Sequence, residues 1–235
     1  MNNNDKNFLK LSESLGLKFK DLELFKQALT HRSYLNEHKD WPLPHNERLE
    51  FLGDAVLELV VTDYLYHKYE SRTEGELTAF RAALVNTQSL AETADQMGLD
   101  DYLLLSKGEA KDIGRARHYI LANTFEAVIG SVYLDQGYDT VQELIKRYLL
   151  IKTDKMVAGG LWQDAKSLFQ EKAQEVTGIT PAYEVISETG PDHNKKFTVA
   201  LKLGDEEVSV GEGFSKQAAE QQAATGGLQA KKWLD

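Results

Sequence analysis

Cysteine is absent from this 235-residue sequence, which excludes disulfide bonds and any metal site built on thiolates. Long apolar runs are absent as well, since none approaches the roughly 18 residues that a membrane-spanning helix needs. The N-terminal segment has no apolar core of the kind that signal peptides carry. The composition, 42% hydrophobic and 27% charged, is that of an ordinary globular protein. We therefore expect a cytoplasmic protein.

An excess of positive charge is also missing. The chain has 27 lysine and arginine residues against 37 aspartate and glutamate residues, which gives a net charge of −10. Neither half is basic, because residues 1–160 carry 19 basic and 25 acidic side chains and residues 161–235 carry 8 and 12. Binding to nucleic-acid phosphates favours lysine and arginine. Any role with nucleic acid must therefore depend on where individual charges lie.

The sequence does contain a line of acids within an apolar helix, predicted at residues 46–65. At about 100° per residue, Glu47, Glu50, Asp54 and Glu58 share one narrow face, and apolar side chains fill most of the rest. Carboxylates so close together repel one another and lose hydration unless a positive charge joins them. A divalent metal is one solution. A solvated acidic face is the other reading, and spacing alone leaves both open.

A second apolar helix, predicted at residues 118–137, has the same design. Asn123 and Glu126 form a polar pair three residues apart, and Gly130 lies near the same face. In the first helix Gly53 stands beside the acids, where a glycine permits close approach of another backbone. Helix bundles build sites from side chains that face inward. Two such helices can therefore face each other and share a metal.

The sequence around these two helices predicts further helices. They are short helices within residues 1–40, two helices within residues 77–98 with Asn86 or Thr87 as the N-cap of the second, and one helix over residues 138–155. His31, at the end of a predicted helix, is a candidate base in isolation, but a structural role is favoured. Residues 157–160 resemble a short flexible linker.

The C-terminal part has a different pattern. A helix at residues 164–178 precedes three strands with alternating apolar and polar residues, and a final helix follows at residues 215–233 with Ser215 as N-cap. This order predicts a small separate domain with helices on one face of an antiparallel sheet. Gly226 and Gly227 lie in the final helix, where alanine is expected to be better by roughly 1 kcal/mol each.

Bacterial ribonuclease III is the family that this sequence resembles, through HNERLEFLGDAVLEL and ILANTFEAVIGSVYLDQGY. The C-terminal part resembles a double-stranded-RNA-binding domain, through DAKSLFQE, GPDHNKKF and GEGFSKQAAEQQAA. The resemblance implies an all-α N-terminal endonuclease domain followed by a small α+β domain of order α-β-β-β-α. We expect the endonuclease and dimerisation domain at residues 1–155, a linker at 156–161 and the RNA-binding domain at 162–235.

The resemblance also implies an activity. It is hydrolysis of double-stranded RNA by a homodimeric, magnesium-dependent endonuclease, with manganese as a substitute ion and no membrane partner. The products would have 5′-phosphate and 3′-hydroxyl ends with short 3′ overhangs, and precursors of ribosomal and other RNAs would be substrates. The positions that match are the metal ligands Glu50, Asp54, Asn123 and Glu126, of which Asp54 and Glu126 are also catalytic, the supporting acids Glu47 and Glu74, and Phe51 in dimer packing.

In the small domain the resemblance implies contacts with duplex RNA, which proteins recognise by its shape across the minor grooves. Gln170, Glu171 and His193 match minor-groove contacts, and Lys216 matches a phosphate contact at a helix N-terminus. Gln217 stands where a second lysine is common. Together with the negative charge of this part, that difference predicts modest RNA affinity that weakens steeply with salt.

Asn123 departs from the family pattern, which usually has aspartate at this position. Its amide oxygen can bind magnesium but carries no charge, so we expect a higher magnesium requirement. Because Glu50, Asp54 and Glu126 are retained, the leading hypothesis is an active enzyme. The alternative is a catalytically weakened protein that binds double-stranded RNA as a scaffold.

Overall fold

The computed structural model describes residues 3–111, 114–159, 162, 164–191 and 195–233. The chain divides into two compact units, Met1–Trp162 and Gln163–Asp235. The first unit is helical and the second combines helices with a three-stranded sheet. Among the described residues, no helix is long and apolar enough to cross a membrane.

Helices account for the regular structure that is described in the first unit. They are α1 (Asn3–Ser14), α2 (Leu22–Ala28), α3 (Arg32–Glu37), α4 (Glu47–Lys68), α5 (Glu74–Leu84), α6 (Thr87–Gln96), α7 (Arg115–Gln136), α8 (Tyr138–Tyr148) and α9 (Thr153–Ala158). Short 3₁₀ turns lie at Asp100–Tyr102, Glu109–Lys111 and Leu150–Lys152.

Side-chain caps fix several of these helix starts. Asn86, one of the two predicted caps of α6, accepts a hydrogen bond from the Ser89 backbone N–H at 2.9 Å. His31 caps α3 by accepting from the Ser33 backbone N–H at 3.3 Å, which gives it a structural role. Such caps satisfy backbone donors that have no partner within the helix.

The prediction of one helix over residues 138–155 is wrong. Helix α8 ends at Tyr148, a 3₁₀ turn follows at Leu150–Lys152, and α9 then begins. The break falls at Leu149 and Leu150, whose side chains are both buried in the core of the first unit. The buried Thr153 hydroxyl donates a hydrogen bond to the Leu150 carbonyl at 2.7 Å, and such a local side-chain bond competes with the continuous helical pattern.

Helix α9 also occupies the start of the predicted linker. It runs to Ala158, and Met156 is buried in the core of the first unit. Val157 packs against the same core. The apolar side chains of this segment therefore attach it to the first unit, and the two compact units divide after Trp162.

Helices α4 and α7 pack against each other through the centre of the first unit. Buried residues of α4 such as Val60 and Val61, and of α7 such as Phe125 and Ile129, belong to one hydrophobic core. The apolar residues of α4 are not all buried, however. A second face exposes large apolar side chains, which are Phe51 at 82%, Leu59 at 58% and Tyr66 at 67%.

The start of α4 is tied by hydrogen bonds to residues 28–31, which are tied in turn to Leu104. The buried Asn46 donates its backbone N–H to the Thr30 carbonyl at 2.9 Å and its side-chain amide to the Ala28 carbonyl at 3.2 Å. Thr30 also forms an isolated parallel bridge with Leu104, where the His31 N–H donates to the Leu104 carbonyl at 3.1 Å. Three segments far apart in sequence therefore meet at this point.

The second unit confirms the predicted order α-β-β-β-α. Its elements are α10 (Ala165–Thr177), β1 (Ala182–Thr189), β2 (Lys196–Leu203), β3 (Glu206–Gly213) and α11 (Lys216–Lys231). The strands form an antiparallel sheet in the order β1-β2-β3, and both helices share a core with it. Ser215 caps α11, as predicted, by accepting from the Ala218 N–H at 3.1 Å.

The expectation that alanine suits both glycines of α11 is wrong for Gly227. A Cβ there would lie 2.5 Å from Leu201 Cδ2 and 2.8 Å from Phe169 Cε2. A Cβ on Gly226 would meet only Ser209, at 3.4 Å. Gly227 is therefore required by the contact between α11, the sheet and α10, whereas Gly226 is not.

Candidate active site

Two glycines allow α4 and α7 to touch through their backbones. A Cβ added to Gly53 would lie 1.7 Å from the carbonyl oxygen of Glu126, and a Cβ added to Gly130 would lie 2.2 Å from that of Leu49. Cβ atoms essentially never approach other heavy atoms below 3.0 Å. The two polar faces predicted from the sequence therefore lie against each other at a backbone contact.

Glu126 is the acid most affected by this arrangement. Burial, followed by the negative charges of Asp54, Glu50 and Glu58, raises the pKa of Glu126 to about 7. All three of these acids belong to α4, whereas Glu126 belongs to α7. The acids predicted on separate helices therefore lie close enough for the charges of one helix to act on the carboxyl group of the other.

Glu50 is the second perturbed acid. Burial raises its pKa, and the charges of Glu47 and Asp54 act in the same direction. A hydrogen bond from the Asn123 side chain opposes this shift, because the amide stabilises the ionised carboxylate. Asn123 therefore contacts the acidic face of α4 directly, and the structure brings Glu50, Asp54, Asn123 and Glu126 together.

Glu47 lies at the edge of this group. It is exposed, and its carboxylate is 3.6 Å from Arg32 and 3.7 Å from His45. Its charge acts on Glu50, so it belongs to the electrostatic surroundings of the site. Glu58 is held at 3.0 Å by Arg81 of α5.

Glu74 lies elsewhere, at the first position of α5. It accepts a hydrogen bond from the Thr78 hydroxyl at 3.1 Å and lines a cavity of about 420 Å³ together with Leu65, Tyr66 and Leu77. The structure does not bring it into the group around Glu126. Glu74 remains a predicted supporting acid on the basis of the sequence resemblance.

Arg81 was not found from the sequence. It donates to the Thr62 hydroxyl at 3.0 Å and pairs with Glu58, so it neutralises one of the charges that act on Glu126. No short sequence signal identifies it, because the pair joins two helices whose crossing is set by tertiary packing.

The donor set suits a hard divalent cation. Glu50, Asp54, Asn123 and Glu126 offer only oxygen ligands, which magnesium and manganese prefer. Among the residues that the structure describes, no three His, Asp or Glu side chains converge closely enough to hold a metal by themselves. Magnesium usually keeps several waters and uses only one or two protein carboxylates with substrate phosphates. The residues present fit such an ion.

The residues predicted to contact RNA lie in the second unit. Gln170 and Glu171 are exposed on α10, and Lys216 is the exposed first residue of α11. His193 lies outside the described residues. The exposed amide, carboxylate and ammonium groups are available to a partner at the surface of this unit.

Comparison with known proteins gives matches over both units. A family model described as Ribonuclease-III-like matches residues 21–153, and one described as Double-stranded RNA binding motif matches residues 165–230. A protein named Ribonuclease 3 from Listeria monocytogenes is 46% identical over 91% of this chain and 93% of its own length. Another of that name, from a Nitratiruptor species, is 43% identical over 94% and 95%.

Solved structures agree with these sequence matches. The nuclease domain of ribonuclease III from Campylobacter jejuni is 42% identical, with a TM-score of 0.55, and the match covers 63% of this chain and 96% of that domain. A second structure of that domain has a TM-score of 0.53, with 59% and 96% covered, and is described by flexibility in a region involved in its dimer formation.

Proposed function

The chain belongs to the ribonuclease III family and is a double-stranded-RNA endoribonuclease, and on this premise we propose that its catalytic site is the meeting point of the polar faces of α4 and α7. Asp54 and Glu126 are the proposed catalytic residues. Glu50 and Asn123 complete the proposed metal ligands. The observation that carries this proposal is the backbone contact at Gly53 and Gly130, which places the acidic face of α4 against Glu126 of α7. The raised pKa of Glu126, which comes from burial and from acids of the opposite helix, supports it.

The proposed cofactor is magnesium, for which manganese can substitute. When bound, such an ion supplies Lewis acidity for hydrolysis of a phosphodiester. Asp54 and Glu126 would hold the ion and orient the attacking water. Asn123 offers a neutral oxygen, and its side-chain amide lowers the pKa of Glu50 against the larger effect of burial. Glu47 and Glu74 are proposed as supporting acids toward the RNA.

We propose that the second unit places duplex RNA by contacts from Gln170, Glu171, His193 and Lys216. Gln170, Glu171 and Lys216 are exposed, which supports this role. The substrates proposed are precursors of ribosomal and other RNAs in the cytoplasm. The proposed products have 5′-phosphate and 3′-hydroxyl ends with short 3′ overhangs.

We also propose a homodimer that forms through the exposed apolar face of α4. Large contiguous apolar side chains on a surface mark interaction sites, and Phe51, Leu59 and Tyr66 follow one side of this helix. Phe51→Ala should produce monomers in sedimentation experiments while the helical circular dichroism is retained, because an exposed ring adds little to the monomer. A variant that sediments like the wild type would refute this face as the interface.

The activity is tested on a long RNA duplex with the full chain. Wild-type protein should cleave with magnesium and not with EDTA. Glu126→Gln should reduce cleavage by at least about 100-fold, since removal of a group that acts in the transition state costs several kcal/mol, but should still bind the duplex. Glu143→Gln is the matched control, because Glu143 is exposed on α8 and paired with Lys146.

Unchanged cleavage by Glu126→Gln would refute the site. Binding without cleavage by the wild type at any magnesium concentration would instead support the scaffold reading of Asn123. That reading is not favoured, since relatives over nearly the whole chain carry the name Ribonuclease 3.

A further inference from the structure

Three lysines gather at one corner of the second unit, and each is close to a carboxylate of the same unit. These residues, Lys195, Lys196 and Lys216, are the lysine cluster. Glu188 bridges two of its members, with one carboxylate oxygen 3.4 Å from Lys195 Nζ and the other 3.6 Å from Lys216 Nζ. Glu212 lies 2.6 Å from Lys196 Nζ. Within the described residues, Glu188 and Glu212 are thus the carboxylates nearest to these ammonium groups that the ion pairs identify.

The sheet register holds Glu188 in this position. Glu188 on β1 pairs with Phe197 on β2, and Phe197 pairs in turn with Gly213 at the end of β3. Lys216 follows shortly after β3, and its Nζ lies 5.8 Å from the centre of the Phe197 ring. The carboxylate and the ring therefore stand side by side beneath the first residue of α11.

We propose that Glu188 is an internal counterion that duplex RNA must displace in order to bind the lysine cluster. The inference rests on the proposed contact of Lys216 with RNA phosphate. A phosphate oxygen of the RNA would compete with the Glu188 carboxylate for the ammonium groups of Lys195 and Lys216. Glu188 therefore lowers the affinity for every duplex, whatever its sequence, because the competition involves backbone phosphates only.

The proposal predicts a particular salt dependence. RNA binding normally releases the salt ions that surround phosphates and lysines, so affinity falls steeply as salt rises. Where a lysine is already paired within the protein, fewer ions are released on binding. Loss of Glu188 should therefore increase affinity at low salt and also steepen its decline with salt.

Glu206→Gln provides a control with the same change in net charge. Glu206 pairs with Lys231 at 2.7 Å, and Lys231 is the last residue of α11. Lys216 is the first residue of that 16-residue helix, so the two lysines are about 22 Å apart at 1.5 Å per residue. At that distance a charge is largely screened in physiological salt.

The experiment measures binding of the full chain to a labelled duplex by fluorescence anisotropy, with EDTA present and a gel to show that the duplex stays intact. Glu188→Gln should tighten binding by about 2- to 5-fold at low salt, the range expected of exposed ion pairs. The gain should vanish at high salt, where such pairs are screened. Glu206→Gln should leave binding unchanged.

An equal gain in both glutamine variants would overturn the inference, since net charge alone would then explain it. No gain in Glu188→Gln would overturn it as well. Lys216→Ala separates this failure from failure of the proposed RNA contact. If Lys216→Ala weakens binding while Glu188→Gln has no effect, the contact stands and the internal counterion does not. If Lys216→Ala binds like the wild type, the contact itself is wrong.

Discussion

Replacement of Gly53 by alanine tests the backbone contact that brings the acids together. The added Cβ would lie 1.7 Å from the Glu126 carbonyl oxygen, so the helices must move apart until this distance reaches at least 3.0 Å. The obstructing atom is backbone in the middle of α7, so no side-chain rotation relieves the clash. Displacing α7 at Glu126 also changes the distance from Glu126 to Asp54.

The expected cost follows from two opposing terms. Overpacking of a tight interior costs about 1–3 kcal/mol and occasionally more, whereas alanine in a helix gains roughly 1 kcal/mol over glycine. Because the clash is with backbone, the cost lies at the upper end of this range, and we expect a net loss of about 2 kcal/mol. For a unit of this size, that loss lowers the melting temperature by roughly 4–8 °C. Cleavage should fall more than stability does, because small displacements in a catalytic site cost about 100-fold.

Gly75→Ala is the matched control. Gly75 also lies in a helix, α5, and an added Cβ there would meet no atom within 4 Å. This variant should melt at or above the wild-type temperature and cleave normally. Scanning calorimetry and single-turnover cleavage of a duplex measure both quantities. A Gly53→Ala protein with wild-type stability and cleavage would refute the backbone contact as the device that assembles the site.

Three further predictions concern the acids and the second unit. The pKa of Glu126 is raised from an ordinary 4.5 to about 7 in the native state. Between these pH values the native state therefore binds more protons than the unfolded state. The free energy of unfolding of the metal-free protein should accordingly fall as the pH rises from about 4.5 to above 7. Thermal melts in EDTA at pH 5 and pH 8 should show this slope, on the order of 1–2 kcal/mol after solvent screening. The slope should be smaller in Glu126→Gln, where the raised pKa of Glu50 still contributes. Asn123→Asp should lower the magnesium concentration for half-maximal cleavage and, in EDTA, lower the melting temperature, since it replaces a hydrogen bond to Glu50 by a like charge; an unchanged magnesium titration would argue against Asn123 as a ligand. In urea melts, Gly227→Ala should cost about 1–3 kcal/mol and Gly226→Ala should cost nothing, and equal effects would contradict the packing described for α11.

Much of the site could be predicted because helical periodicity is local. The spacing of Glu50 and Asp54 fixes their common face in any helix, and the same holds for Asn123 and Glu126. The similarity of the two polar faces suggested that α4 and α7 face each other. Gly53 and Gly130 explain how the backbones of the two helices come so close. The assignment of roles to these residues goes beyond periodicity and rests on resemblance.

Other features depend on contacts that no local pattern reveals. The pairing of Glu58 with Arg81 joins two helices, and Gly227 is required by Leu201 and Phe169 on other elements. Composition also misled in one respect. The apolar composition of α4 suggests burial on all sides, but Phe51, Leu59 and Tyr66 are exposed in the single chain. Hydrophobicity alone does not distinguish a residue of the core from one on an interaction surface.

The junction of Asn46, Thr30 and Leu104 has a consequence for how the first unit opens. Residues 28–31 hold the other two segments, because Thr30 accepts from the Asn46 N–H while Leu29 and His31 bond to the backbone of Leu104. Release of residues 28–31 therefore breaks the bonds to both segments at once, whereas release of the loop at Leu104 leaves the Asn46 bond in place. The Asn46 amide should therefore be protected from exchange with solvent at least as well as that of His31, whose hydrogen bond is also lost when this loop opens. The N-terminal end of α4 would then stay folded through openings of the loop at Leu104.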